Sequence, residues 1–315
     1  MLRLGYISSI LCAISAAAYP QATNALRAPG VDVIAHRGAS AYAPENTLSA
    51  FGLAIDQGSD WFELDCTLSA DGEVVVIHDD TVDRTTDGTG PVIELTFDQL
   101  RTLDAGSWKD PKFAGERIPS LDESLHLGGK RVGVYVEIKD SDDDRMLRDM
   151  LLEIYDVGRP LTPEERTAMV DAIEASGSRN YTLTRKVIEI VRDRGLQNDA
   201  VIQSFSPIVC AVALVLAPDI RTEFLGEDDG ASPEHWDTVL QWLRILDPPG
   251  FNPNKRAMLT HRNTIESYLN EGKTISVWTI DGRRDTIDFA RWGASAIITN
   301  RPDNALEILQ QEGLR

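Results

Sequence analysis

Val31-Asp32-Val33-Ile34-Ala35-His36-Arg37-Gly38 is a short apolar run that ends in an imidazole, a guanidinium and a glycine. The pattern returns three times in the first half of the chain. Glu63-Leu64-Asp65 follows Trp61-Phe62, His78-Asp79 follows Val74–Ile77, and Glu137-Ile138-Lys139 follows Val132–Val136. Further apolar runs lie at Ala200–Phe205, Arg221–Leu225, Thr274–Ile280 and Ser295–Thr299. Helical patterns separate most of them, at Thr47–Gln57, Arg185–Arg194, Pro207–Leu216, Asn263–Asn270 and Arg284–Trp292. Short, continuously apolar strands alternating with amphipathic helices predict a parallel sheet closed into a TIM-type (β/α)8 barrel. An open doubly wound sheet would place a glycine-rich phosphate loop after the first strand, and none is present.

The polar residues give a second reason for a barrel. Such barrels carry their sites at the carboxyl ends of the strands. His36, Asp65, His78, Glu137, Gln203, Trp278 and Asn300 are all expected there. Between the second and third runs, Leu68–Gly72 is too short for a crossover helix, and Ala70-Asp71-Gly72 reads as a tight turn. Two stretches exceed the minimal barrel. Residues 81–123 form a loop-rich insertion after the third strand that would cap the mouth near His78. Residues 140–180 form a second insertion, in which Pro160-Leu161-Thr162-Pro163-Glu164-Glu165 marks a fresh helix start. Both belong to one domain spanning residues 31–310.

The 315 residues are 42% apolar and 26% charged, a globular composition, with a formal net charge of −19. A field of that sign opposes nonspecific binding to nucleic acid or anionic lipid. Met1-Leu2-Arg3 followed by the apolar Leu4–Ala18 reads as a secretory signal peptide within residues 1–25, cut between Ala18 and Ala25. The expected product is secreted or periplasmic, with no stable membrane insertion after cleavage. Cys66 and Cys210 then remain, and are expected as two unpaired buried thiols. The one sequon is Asn180-Tyr181-Thr182. The run Asp140, Asp142, Asp143, Asp144 is expected as a solvated helix start, since carboxylates suit the positive helix end. His126 is expected to be structural, and His235 and His261 receive no role.

Residues i and i+2 of a strand share a face, so Glu63 and Asp65 can grip one cation together with Glu137. Oxygen-only ligands suit Mg²⁺ or Ca²⁺ over Zn²⁺. Arg37 offers a planar fork of donors for phosphate. Histidine titrates near neutrality, which suits His36 and His78 to accept and give protons. Cleavage of a phosphodiester needs positive charge at phosphorus and a proton for the leaving oxygen.

The wording of the chain also resembles a known family. Ile34-Ala35-His36-Arg37-Gly38, Pro44-Glu45-Asn46-Thr47, Glu63-Leu64-Asp65, Asp71-Gly72 and His78-Asp79 occur in order with Thr85-Thr86-Asp87-Gly88-Thr89-Gly90, Ile118-Pro119-Ser120-Leu121 and Glu137-Ile138-Lys139. Gln203-Ser204-Phe205, Val277-Trp278-Thr279 and Thr299-Asn300-Arg301-Pro302 complete the likeness, which runs from Val31 to Pro302 and resembles the glycerophosphodiester phosphodiesterase family.

The resemblance implies a barrel enzyme that hydrolyses small glycerophosphodiesters to sn-glycerol 3-phosphate and an alcohol, with one divalent cation, Ca²⁺ or Mg²⁺, on Glu63, Asp65 and Glu137. It implies His36 and His78 as the acid/base pair; within that pair we expect His36 as base and His78 protonating the departing alkoxide. Arg37 and Lys139 would face phosphate, with Lys139 also within reach of glycerol; Glu45 would edge the site and Trp278 would pack on glycerol. Two nucleophiles stay open, water or the glycerol 2-hydroxyl, the latter passing through a cyclic phosphate. Family members often carry Asp where this chain has Asn300, which bears on the shape of the pocket. The alternatives are a lipid-directed phosphodiesterase of lysophospholipase D or sphingomyelinase D type, and a catalytically inactive barrel. Apolar residues exposed on Val92–Leu103 or Trp108–Phe113 would favour the lipid reading.

Overall fold

β1 (Asp32–Ala35) lies at the seam of a closed sheet, pairing in parallel with both β2 (Trp61–Leu68) and β9 (Ala296–Thr299). The computed structural model describes residues 30–140 and 144–315. The expected signal segment, with its cleavage zone, lies outside the described residues, as do Asp142 and Asp143. Between the seam strands run β3 (Val74–Val76), β4 (Gly133–Ile138), β5 (Ala200–Ser204), β6 (Arg221–Gly226), β7 (Gly250–Pro253) and β8 (Thr274–Val277). The strand order β1-β9-β8-β7-β6-β5-β4-β2, closed by the β1–β2 pairing, is an eight-stranded parallel barrel with helices around it. Among the described residues no helix is long and apolar enough to cross a membrane.

The barrel is as expected, but one of its staves is not. Val74–Ile77 is not a barrel strand: β3 pairs antiparallel with the far end of β2, Cys66 opposite Val76 and Leu68 opposite Val74. The Ser69–Gly72 turn closes this hairpin, with Gly72 at φ 80 and its N–H donating to the Ser69 carbonyl at 3.1 Å. A two-strand connection this short permits only antiparallel pairing. The missing stave is β7, Gly250-Phe251-Asn252-Pro253, which pairs with β6 and β8. Phe251 faces the helical layer, packed with Trp236, and Asn252 on the alternate face donates through Nδ2 to Gln203 Oε1 at 2.8 Å.

Along β2 the alternation places Phe62, Leu64 and Cys66 in the core between sheet and helices. Glu63 and Asp65 take the opposite face. Phe62 stacks on Phe51 of the helix Leu48–Asp56 with centroids 4.6 Å apart, which seats that helix beside the mouth. Cys66 and Cys210 are free and buried.

The first insertion folds over a small core of its own, Val75, Ile77, Val82, Val92, Leu100, Ala105 and Ile118. It is tied to the mouth by Lys109, whose Nζ donates to the Ser40 carbonyl at 2.7 Å. Ile93 and Trp108 are its exposed large apolar residues. The second insertion carries the helices Arg145–Tyr155 and Pro163–Ser176, the latter opened by a Thr162/Glu165 capping box.

One surface expectation is overturned. Asp144 is buried and accepts from Ser178 Oγ at 2.6 Å and from the Asn180 N–H at 3.3 Å, so it serves the start of the neighbouring helix Arg179–Asp193 and not a solvated one. The sequon residue Asn180 is buried too, its Nδ2 donating to the Lys139 carbonyl at 2.8 Å, which leaves no room for a glycan on it.

Candidate active site

The chain leaves β1 through Arg37 and Gly38, both in the left-handed region at φ 55 and 78. A Cβ on Gly38 would sit 2.6 Å from the Ala50 backbone, so only glycine allows the helix Leu48–Asp56 to close on this turn. The turn aims the Arg37 N–H at Glu63 Oε2, 2.8 Å away, and swings the side chain over the mouth. There Nη1 donates to Glu45 Oε1 at 2.8 Å, and Nε lies 3.2 Å from Asp65 Oδ2.

Glu63 and Asp65 on β2 meet Glu137 on β4, which stands in register opposite Asp65. One carboxylate oxygen from each lies within 4.8 Å of the others, and all three residues are buried. Asn46, itself at φ 58, clamps Asp65 from both sides: Nδ2 donates to Oδ2 at 2.8 Å, and Oδ1 accepts the Asp65 N–H at 3.2 Å. Lys139 Nζ donates to Glu137 Oε1 at 2.8 Å and lies 3.5 Å from Asp65 Oδ1.

These charges divide unevenly. Burial raises carboxyl pKa values, yet Lys139 and Arg37 hold Asp65 well below the usual carboxylate range. Burial together with the charges of Asp65 and Glu137 pushes Glu63 well above it. Glu137 is also raised by burial, against the pull of Lys139. Glu63 Oε1 is buried without a hydrogen-bond partner. A hard divalent cation fits this set: three converging carboxylates, one with an orphaned oxygen, and no nitrogen or sulfur donor among them.

Both imidazoles stand beside the acids: His36 directly precedes Arg37, whose N–H and Nε meet Glu63 and Asp65, and His78 lines one cavity with Glu137 and Lys139. His36 follows β1 directly. Its Nδ1 lies 2.8 Å from Asn300 Oδ1, beyond the end of β9. Asn300 is itself fixed by Asp281, which accepts from Nδ2 at 2.7 Å and from the Asn300 N–H at 2.8 Å. With the amide held that way, Oδ1 is the atom facing His36, so Nδ1 carries the proton and Nε2 is free to accept one. Burial, and then the charge of Arg37, push the His36 ring down to about 4, against the Asn300 bond.

His78 reaches the same rim by the reverse route. It does not end a barrel strand; it follows β3 back toward the mouth, where the Ile77 N–H donates to the Asp65 carbonyl at 3.0 Å. Its Nδ1 lies 2.7 Å from Asp79 Oδ1. A cavity of about 420 Å³ opens beside it, lined by His78, Asp79, Asp80, Glu137, Lys139, Asp140 and Phe205.

Trp278 stands edge-on to Phe205 with centroids 5.4 Å apart, and its Nε1 donates to the Asn252 carbonyl at 2.8 Å. The indole is thereby fixed as an apolar wall. His126 and His235 are exposed, and His261 stacks on Trp236 at 4.2 Å.

Every sequence-selected residue therefore converges on one rim. Three further residues join them: Arg84, Asp281 and Asn252. Asp281 directly follows the run Thr274–Ile280, so the rule that selected its neighbours would have found it. Arg84 precedes Thr85-Thr86 in a loop, and Asn252 sits in a run with one large apolar residue, where no periodicity marks either.

A family model described as the glycerophosphoryl diester phosphodiesterase family matches residues 36–304, which brackets every residue of this rim. The chain belongs to that family. A Caldanaerobacter subterraneus glycerophosphodiester phosphodiesterase is 31% identical over 89% of this chain and 98% of its own length. A Bacillus subtilis relative is 54% identical over a shorter match, 34% of this chain and 44% of that protein. Among solved structures, an Oleispira antarctica phosphodiesterase, determined in complex with the product sn-glycerol 3-phosphate, aligns with TM-score 0.70 at 25% identity, covering 89% of this chain and 97% of that one. This member of the glycerophosphodiester phosphodiesterases thus keeps a rim of acids, imidazoles and cations in one mouth.

Proposed function

We propose that this enzyme hydrolyses glycerophosphodiesters to sn-glycerol 3-phosphate and an alcohol, using one divalent cation, Mg²⁺ or Ca²⁺, on Glu63, Asp65 and Glu137. The observation that carries the reading is the buried carboxylate triad, with Glu63 Oε1 unpartnered, on the rim that His36 and His78 also reach. When bound, the cation supplies positive charge to a nonbridging phosphate oxygen and lets three buried carboxylates stay ionised. Arg37 and Lys139 present N–H donors to the other oxygens, where negative charge grows as the nucleophile arrives. His36 takes the nucleophile's proton on Nε2, and His78 delivers one to the leaving alkoxide. Trp278 and Phe205 form the apolar wall for the glycerol carbons. The nucleophile is water or the glycerol 2-hydroxyl; a cyclic phosphate released early in turnover would mark the second.

Release of glycerol 3-phosphate from glycerophosphocholine and glycerophosphoethanolamine is expected to stop after thorough chelation and to return on adding Mg²⁺ or Ca²⁺. Turnover that survives chelation would remove the cation from the reading, and no turnover on any diester would revive the inactive barrel. Two features favour lipid substrates as a second reading: Ile93 and Trp108 are exposed on the first insertion, and Met146, Met150, Ile154 and Val157 form an exposed apolar stripe along and just past the helix Arg145–Tyr155. Faster cleavage of lysophosphatidylcholine than of glycerophosphocholine in the same assay would select it. Export through the N-terminal segment belongs to the same proposal, and N-terminal sequencing of the protein from culture fractions tests it.

A further inference from the structure

The second guanidinium at the mouth, that of Arg84, has no assigned part in the chemistry above. Arg84 lies in the first insertion, on a loop pinned by Val82 N–H to the Gly90 carbonyl at 3.0 Å and Val92 N–H to the Asp80 carbonyl at 2.8 Å. Val82 is buried in the insertion's own core, and Thr86 Oγ1 closes the loop on the Val82 carbonyl at 2.7 Å. The loop is thus built rigidly, and its one long cation points back at the rim.

That cation grips two carboxylates at once. Nε donates to Asp79 Oδ2 at 2.6 Å and Nη2 to Asp79 Oδ1 at 3.0 Å. Nη1 donates to Glu45 Oε2 at 2.9 Å and Nη2 to Glu45 Oε1 at 2.8 Å. Asp79 in turn holds His78 Nδ1, and Glu45 holds Arg37 Nη1. Charges alternate without a break along Asp65, Arg37, Glu45, Arg84 and Asp79 to the His78 ring. The Arg84 side chain is 45% exposed, and an ion pair that open to water adds little to stability. Two bidentate grips do fix orientation, which is what planar guanidinium does best.

We propose that Arg84 is a positioning residue: through Asp79 it sets the His78 ring so that Nε2 faces the leaving oxygen, while its grip on Glu45 anchors it to the rim. The insertion is then part of the catalytic apparatus and not a cover over it. The mechanism is geometric. Asp79 follows His78 in the chain and would swing freely about its side-chain bonds; Arg84 binds both its oxygens, leaving one acceptor aimed at Nδ1. With Nδ1–H committed to a carboxylate, Nε2 is the nitrogen that exchanges the proton. Arg84 also pulls the Asp79 carboxyl down to about 2, so the acceptor stays charged across the working range.

This inference rests on the acid role given to His78, and the leaving group separates the two. Steady-state rates are measured for the parent, Arg84→Met and His78→Ala on glycerophosphocholine, whose alkoxide needs a proton, and on glycerol 3-phosphate p-nitrophenyl ester, whose phenolate leaves without one. Arg84→Met is expected to lose about 10- to 100-fold in kcat on the choline ester and no more than a few-fold on the nitrophenyl ester, the same bias as His78→Ala but smaller. Guanidinium in the buffer is expected to restore part of the kcat of Arg84→Ala and none of that of His78→Ala. Equal losses on both esters in Arg84→Met, or no rescue by guanidinium in a folded Arg84→Ala, would make Arg84 a merely structural contact and overturn the proposal. Equal losses on both esters in His78→Ala would overturn the acid role, and the proposal with it.

Discussion

Glu63→Gln is expected to abolish hydrolysis while making the cation-free protein harder to unfold. Glu63 is the acid of the triad with a buried, unpartnered oxygen, and burial with the charges of Asp65 and Glu137 pushes its carboxyl well above the ordinary range. Without a cation the folded protein therefore retains a proton that the unfolded chain gives up near the usual carboxylate pKa of about 4.3. Stability from this group is present below that value and is lost as pH rises through the raised folded value. Glutamine cannot ionise, and its side-chain oxygen can still accept the Arg37 N–H. In chelator, Glu63→Gln is expected to exceed the parent by about 1–3 kcal/mol at neutral pH, the cost of an unsatisfied buried polar group, and by less near pH 4. Saturating Mg²⁺ or Ca²⁺ should raise the parent's unfolding midpoint and leave the variant unmoved. Turnover should fall roughly 10³-fold or more, as for loss of a catalytic cation. Urea unfolding at two pH values, with and without cation, reads all of this. A variant less stable than the parent in chelator would mean that the triad does not crowd its charges as described.

His36→Ala is expected to lower kcat by about 10²–10⁴-fold with the fold intact, the range for loss of a positioned proton acceptor. The pH profile sharpens the test. A base works only when neutral, and the His36 ring is held down to about 4. With cation saturating, the acidic limb of kcat/KM should therefore lie well below the ordinary histidine range. Asn300→Asp replaces a neutral acceptor at 2.8 Å from Nδ1 by a charged one, which favours the imidazolium and should move that limb to higher pH. Activity of His36→Ala within a few-fold of the parent, or a limb that ignores residue 300, would end the assignment of His36 as base.

The rim was legible because ionic residues stand at the ends of apolar runs, and a barrel gathers those ends in one place. Direction was harder to read. Val74–Val76 is a β-branched run, indistinguishable by composition from a barrel stave, and only the five-residue link Leu68–Gly72 betrays that it must run backwards. The true stave, Gly250–Pro253, was hidden because glycine, asparagine and proline are poor strand formers. It survives in the barrel because Phe251 packs outward and Asn252 bonds to Gln203 across the lumen.

Asp144 misled for a related reason. It looks like a surface polar residue, and it is buried because it accepts from Ser178 Oγ and the Asn180 N–H at the start of the neighbouring helix. Arg84 could not have been singled out among the chain's 31 basic residues, since its meaning depends on two carboxylates, one 39 residues before it and one five residues before it. Asn300, by contrast, was noticed as a departure from the family's usual Asp. Its bond to His36 shows where that departure acts, on the basicity of the ring and less on the shape of the pocket.

The central claim is that one dication and two imidazoles surround a single phosphorus at this rim. Crystals soaked with Mn²⁺ and sn-glycerol 3-phosphate test it directly by anomalous scattering. One manganese peak bonded to Glu63, Asp65 and Glu137, with the phosphorus between the rings of His36 and His78, is the predicted result. Manganese bound elsewhere, or a phosphate seated away from the two rings, would contradict it.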